Sequence, residues 1–140
     1  MSNTFEAFML EILLVEDNLG DIFLTQEILK MLQNPHRMHS VRDGEEALAF
    51  LYQQGVYQTA PRPNLILLDL NLPKKNGREV LAAIQSDSAL KTIPVIILTT
   101  SVTDEDILKF QLLKAHCYIP KPTDLSEFSQ IADAIKNLLK

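Results

Sequence analysis

Residues 65–77 read LILLDLNLPKKNG, and the step from four aliphatic residues to Asp69 decides how the rest of the chain is read. A continuous apolar run, rather than an alternating one, is the pattern of a strand buried on both faces. An acid at its carboxyl end is driven out of that core, so the strand must end where a negative charge is wanted.

Working outward, similar short aliphatic runs recur at 12–15, 38–41, 95–98 and 117–119. Between them the apolar period lengthens to that of a helix. Ala47, Leu48, Leu51 and Tyr52 share one face, as do Val80, Leu81 and Ile84, and as do Phe128, Ile131, Ala132, Ile135 and Leu138. Capping chemistry opens helices at Thr103, three residues before Asp106, and at Asp124, three before Glu127. Strands and helices in strict alternation, five of each, predict a parallel sheet with helices on both faces, because parallel neighbours need a crossover connection. Pro120 lacks a ladder donor, which predicts an edge position for the fifth strand.

A chain of 140 residues that is 46% hydrophobic builds one domain with one substantial core. Its net charge of −5 and the lack of a basic stripe argue against direct nucleic-acid binding. The lone Cys117 allows neither an internal disulfide nor a zinc spacing, and is read as a small buried hydrophobe in a reducing compartment. The opening MSNTFEAFMLE has no secretory pattern, and no apolar run approaches the roughly 20 residues of a membrane span, so a cytoplasmic location without membrane insertion is expected. Residues 1–10 are read as an N-terminal extension and 11–140 as the domain itself, with no output domain attached.

Open α/β sheets bind ligands beyond the carboxyl ends of their strands. There Asp69 ends the third strand, Glu16 and Asp17 the first and Thr99 the fourth, while Lys121 follows the fifth. Crowded carboxylates repel one another and call for a cation. Oxygen ligands without a Cys or His cluster select a hard ion, Mg2+ or Mn2+. An acid beside such an ion, with a hydroxyl and an ammonium aimed at the same place, suits phosphoryl transfer to a carboxylate, with Asp69 as nucleophile. The ion, Lys121 and Thr99 would hold the equatorial phosphoryl oxygens.

VED (15–17), LLDLNLP (67–73) with Gly77, LTTS (98–101) and YIPKP (118–122), in this order, resemble the receiver domain of two-component response regulators from residue 11 to the end. The resemblance implies a flavodoxin-like (CheY-like) doubly wound sheet of order 2-1-3-4-5. It also implies a stoichiometric phosphoacceptor, not a turnover enzyme, charged on Asp69 by the phosphohistidine of a sensor histidine kinase. Carried over residue by residue, Asp17, Asp69 and the backbone carbonyl of Asn71 match the metal ligands, with Glu16 acting largely through water. Thr99 and Lys121 match the switch hydroxyl and the phosphate-binding lysine, and Tyr118 the aromatic that follows Thr99. Asn71 and Ser101 match positions that flank the hydrolytic water. The signal is expected to leave through the face formed by the fourth helix, the fifth strand and the fifth helix.

EDNLGD, APRPNLILLDLNLPKKNGREVL, ILTTS and CYIPKP are similar, more narrowly, to the single-domain receivers that partner cyanobacterial and bacterial phytochromes. That similarity implies a phytochrome-type kinase as partner and a homodimer formed around the fifth strand. Leu19 stands where proline is frequent in that group and Pro120 where threonine is common; neither removes a group the chemistry needs. Two rival readings are weaker. A phosphatase using an aspartyl phosphate needs a second aspartate two residues after the nucleophile, where this chain has Asn71. A receiver that is never phosphorylated typically lacks an acid or the lysine, and here all are present.

Overall fold

Strand β3 (Leu65–Asp69) is buried along its whole length, as a run of aliphatic residues ending in an acid requires of a strand at the centre of a covered sheet. The computed structural model describes residues 9–70, 72, 76–99, 117–120 and 128–138, with the backbone alone at 99, 117–120 and 128. Around β3 lie β1 (Leu10–Val15), β2 (His36–Val41), β4 (Val95–Thr99) and β5 (Cys117–Pro120), in the order β2-β1-β3-β4-β5 and all parallel. β5 therefore sits at one edge, where Pro120 costs no ladder bond to an outer neighbour.

Four described α-helices cover the two faces: α1 (Leu19–Leu29), α2 (Gly44–Leu51), α3 (Gly77–Gln85) and α4 (Phe128–Leu138). A 3-10 turn at Gly55–Tyr57 follows α2. The helix expected from Thr103 and the cap expected at Asp124–Glu127 lie outside the described residues, as do Asn71, Ser101 and Lys121.

The pleat divides the core into two layers, since successive strand residues face opposite sides. Leu13, Val15, Ile66, Leu68, Val95 and Ile97 meet Ala47, Phe50 and Leu51 of α2 and Val80, Leu81 and Ile84 of α3. On the other side, Ile12, Leu14, Leu65, Leu67, Ile96 and Leu98 meet Ile28 and Leu29 of α1 and Ile131, Ala132 and Ile135 of α4. Each fully buried aliphatic side chain in these layers contributes about 1.5–3 kcal/mol, so the sheet is a rigid platform for whatever its carboxyl edge carries.

Tyr52 corrects the sequence reading: it caps α2 and is exposed, whereas Phe50 takes the buried place. The Phe50 ring packs 5.5 Å from His39 and 5.4 Å from Tyr57, centroid to centroid. Helix starts are set by side chains the sequence reading passed over. Asn18 Oδ1 accepts from the Asp21 amide at 2.9 Å and Asp43 Oδ1 from the Glu46 amide at 2.8 Å. Asn76 and Glu79 form a reciprocal capping box at the start of α3.

Glu11, a charged residue inside β1, is held by partners on the edge strand. Arg37 Nη2 lies 2.9 Å from Glu11 Oε2, and His39 Nε2 lies 2.8 Å from Glu11 Oε1. Burial by itself would raise the Glu11 carboxyl; the bonds from His39 and Arg37 and their charges outweigh it and hold it below the ordinary 4.5. A carboxyl depressed in the folded state contributes stability that is present above its unfolded pKa and fades as the pH falls through the folded one. Acid titration below pH 4.5 should therefore cost the parent about 1 kcal/mol that Glu11→Gln does not lose, read as the difference in urea midpoints between pH 7 and pH 3. Equal losses in the two proteins would show that the pair contributes nothing.

Candidate functional site

Three acids meet at the carboxyl edge of the sheet. Asp69 is the last residue of β3 and Glu16 and Asp17 follow β1, its neighbour in the sheet, with Leu68 in register with Val15. One ligand atom from each of Glu16, Asp17 and Asp69 lies within 4.8 Å of the others. Glu16 and Asp69 are almost wholly buried, at 2% and 4% exposure, and Asp17 is partly exposed. A compact set of oxygen donors with no Cys or His among them is the donor chemistry of a hard divalent ion, so the residues fit the magnesium or manganese expected of them.

The loop after β1 is tied down on several sides. The Glu16 amide extends the ladder to the Val41 carbonyl at 2.9 Å. The Asn18 amide donates to Glu16 Oε2 at 3.2 Å while its side chain caps α1. Arg42 Nη2, just beyond β2, donates to the Asp17 carbonyl oxygen at 3.2 Å. Arg42 stands over the first turn of α2, where Glu46 accepts a 2.7 Å bond from the Tyr57 hydroxyl. Burial, the bond to Glu46 and the charges of Glu46 and Asp43 push the Tyr57 phenol up to about 12, so it remains a donor at any ordinary pH.

The loop after β3 turns on Gly77. Its amide donates to the Leu70 carbonyl at 3.1 Å, bringing the start of α3 against the strand that carries Asp69. A side chain there would put its Cβ 2.4 Å from the Asp69 carbonyl oxygen and 2.6 Å from Leu70 Cα. On the other side of β3, Asp69 is in register with Leu98, and Thr99, the next residue of β4, is in register with Pro120 of β5. The backbone thus brings Thr99 to the edge that Asp69 occupies. The side chains of Thr99 and Tyr118, and Asn71, Ser101 and Lys121 altogether, lie outside the description. Leu19, the departure noted beside the acids, is on the surface at 66% exposure. Asn18 and Arg42 are neighbours of the acids that the sequence reading does not assign to the site. The first had a legible signal, a capping residue before a helical run; the second had none.

A parallel sheet of order 2-1-3-4-5 with one acid at the end of its central strand and two more from the neighbouring strand defines a receiver domain. The chain belongs to that family: the response regulator receiver domain matches residues 12–133. Response regulator Rcp1 of Synechocystis sp. is 49% identical over 126 residues, covering 90% of this chain and 86% of that one. The crystal structure of the Mn2+-bound form of Rcp1 superposes with a TM-score of 0.82 over 91% of each chain at 49% identity. The phosphorylated cyanobacterial phytochrome response regulator RcpA superposes with a TM-score of 0.86 over 94% of each chain at 52% identity. The bacteriophytochrome response regulator RtBRR is 38% identical with a TM-score of 0.81, over 94% of this chain and 78% of that one. Among the described residues no helix is long and apolar enough to cross a membrane.

Proposed function

We propose that this response regulator takes a phosphoryl group on Asp69 from the phosphohistidine of a phytochrome-type sensor histidine kinase and passes the signal on by changing its protein contacts. The observation that carries the reading is the buried carboxylate of Asp69 at the end of β3, with ligand atoms of Glu16 and Asp17 within 4.8 Å. The phytochrome assignment is supported by the naming of RcpA and RtBRR, and the metal by the manganese in the Rcp1 crystal.

Asp17, Asp69 and the Asn71 carbonyl would hold Mg2+, or Mn2+ in its place, with Glu16 acting through water. The bound ion offsets the negative charge of the acids and of the incoming phosphoryl oxygens. A carboxylate oxygen of Asp69 attacks phosphorus as the P–N bond breaks, and the imidazole leaves with the bonding pair, carrying a proton on its other nitrogen. Lys121 and Thr99 each take one of the remaining oxygens, against an added charge of about −1.5 to −2. Movement of Thr99 toward the phosphate opens room for Tyr118 and repacks the face made by the segment 103–116, β5 and α4. A fifth helix in that segment would complete the doubly wound flavodoxin-like fold.

Hydrolysis of the acyl phosphate resets the switch, so the protein assists its own phosphorylation and dephosphorylation without turning over a separate substrate. Asn71 and Ser101 flank the water in this reading. The receiver unit spans 11–140, extended by Leu10 at the start of β1, acts in the cytoplasm without touching nucleic acid, and pairs with a second copy along the edge strand β5, whose outer side meets no other strand among the described residues.

Intact mass after incubation with acetyl phosphate tests the central claim. The parent should gain the mass of one phosphoryl group when magnesium is present and none when it is chelated. No gain in a folded sample with magnesium would leave a phosphorylation-independent binding module.

A further inference from the structure

We propose that Arg42 is a positioning residue for the metal ligand Asp17; the inference rests on the reading of the acid cluster as a cation site. The juxtaposition that carries it is the 3.2 Å bond from Arg42 Nη2 to the main-chain carbonyl of Asp17, made from the end of a neighbouring strand.

Asp17 lies between two residues that are already fixed. Glu16 is bonded through its amide to Val41, the last residue of β2, at 2.9 Å. Asn18 is bonded through its amide to the Glu16 carboxylate at 3.2 Å, and its carbonyl accepts the Ile22 amide at 3.0 Å as α1 begins. The peptide between Asp17 and Asn18 must turn from the one anchor to the other. Arg42 holds the carbonyl of that peptide, and rotation of that peptide would swing the Asp17 carboxylate relative to Glu16 and Asp69.

Arg42 is itself placed by its surroundings. It directly follows Val41, whose carbonyl already anchors Glu16, and its own amide reaches Glu46 Oε2 at 3.4 Å. Glu46 is in turn fixed through its amide to Asp43 Oδ1 at 2.8 Å and by the Tyr57 hydroxyl at 2.7 Å. The ligand loop is thus braced against α2 and the 3-10 turn, elements that carry none of the ligands. This is the role that outer partners play around metal ligands, where they fix orientation rather than bind the ion.

Charge and position predict opposite signs. A guanidinium near three carboxylates repels an incoming cation, so its removal would tighten metal binding if charge were all that mattered. Arg42 is exposed, and an exposed charge is screened within about 8 Å at physiological salt. The bond to a ligand's own peptide is exposed too, but it acts by fixing orientation rather than by charge, and loss of an outer partner weakens metal binding about tenfold or more. Position should win.

The experiment is a titration of the metal-free protein with Mn2+, followed by electron paramagnetic resonance of the free ion, with thermal melts of the same samples. Arg42→Ala should bind Mn2+ about tenfold more weakly than the parent. Arg42→Lys, which keeps the charge and one donor of similar reach, should recover most of that loss. Tighter binding by Arg42→Ala would reduce Arg42 to a nearby charge, and unchanged binding with a lowered melting temperature would reduce it to a structural residue; either result overturns the proposal. Failure of the parent to bind Mn2+, or equal binding by Asp17→Asn, would instead overturn the reading of the cluster on which it rests.

Discussion

In the Asp69→Asn variant, acetyl phosphate and magnesium should add no mass, while the metal-free protein should melt above the metal-free parent. The first half follows from the loss of the attacking oxygen: a carboxamide is a poor nucleophile, and no other acid ends the central strand. The second half follows from burial. Asp69 and Glu16 are 4% and 2% exposed, and their ligand atoms and that of Asp17 lie within 4.8 Å of one another. Two like charges at about 4 Å repel by up to about 4 kcal/mol near a protein surface, and hydrogen bonds to the acids offset part of this. The amide keeps the shape and removes the charge, so a net gain of about 1–2 kcal/mol is expected, or roughly 3–8 °C in melting temperature. Magnesium reverses the order. At about a hundred times its dissociation constant it stabilises the parent by about 2.7 kcal/mol, and the variant, short of one ligand and one charge, gains far less. A variant that melts above the parent without metal and below it with metal is the signature of a cation site in which charge has been concentrated at the expense of stability. Persistent mass gain would move the phosphoacceptor to another acid. An unchanged metal-free melt would mean that the partners of the three carboxylates already cancel their repulsion.

The central architecture was legible because burial on both faces leaves a plain mark: LILLD has no polar residue before Asp69, and all five positions are buried. The first two strands are longer than their aliphatic runs. β1 begins at Leu10 rather than at residue 12, and β2 at His36 rather than at residue 38. The missing residues include Glu11, His36 and Arg37, charged or polar side chains that look like loop until the Glu11–Arg37 and Glu11–His39 pairs across the two strands are seen. Tyr52 was misplaced for a related reason: its spacing fits the buried face of α2, but the helix ends there and Phe50 is taken into the ring cluster. At the site, the three acids are legible because each ends a strand or directly follows one, and strand ends on one edge of a parallel sheet converge. The brace from Arg42 to Asp17 was not, since a bond from a side chain to a carbonyl 25 residues away leaves no periodic trace. Thr99 is found at the end of β4 as read; its hydroxyl and Lys121 follow from strand ends and phosphoryl chemistry, the roles of Asn71, Ser101 and the Tyr118 ring from the resemblance, and all of these lie outside the described residues.

Gly77→Ala should lower stability and phosphorylation together, against the usual expectation for a helix. Glycine in a helix is worse than alanine by roughly 0.5–1 kcal/mol, so propensity alone would make the substitution stabilising. Space decides otherwise. The new Cβ would lie 2.4 Å from the Asp69 carbonyl oxygen, 2.6 Å from Leu70 Cα and 3.1 Å from the Asp69 carbonyl carbon, all backbone atoms that no side-chain rotation can clear. Either α3 backs away from β3, which breaks the Gly77 amide bond to Leu70 and opens the packing of the fully buried Val80, Leu81 and Ile84, or the end of β3 moves. Forced overpacking of this kind costs about 1–3 kcal/mol, and the lost bond about 1 more, so a net loss of roughly 2–3 kcal/mol remains after the helix gain. For a domain of this size that is a fall of roughly 6–12 °C in melting temperature. The chemical consequence exceeds the thermal one, because the backbone that must yield carries the nucleophile. A shift of about 1 Å at a reacting group can cost a hundredfold in rate. Phosphorylation by acetyl phosphate, measured well below the melting transition, should therefore slow by about that factor in protein that is still folded. A Gly77→Ala variant as stable as the parent would mean that α3 yields freely and that the close approach is incidental. A variant that is destabilised but phosphorylated at the parental rate would mean that the helix moves and leaves Asp69 in place.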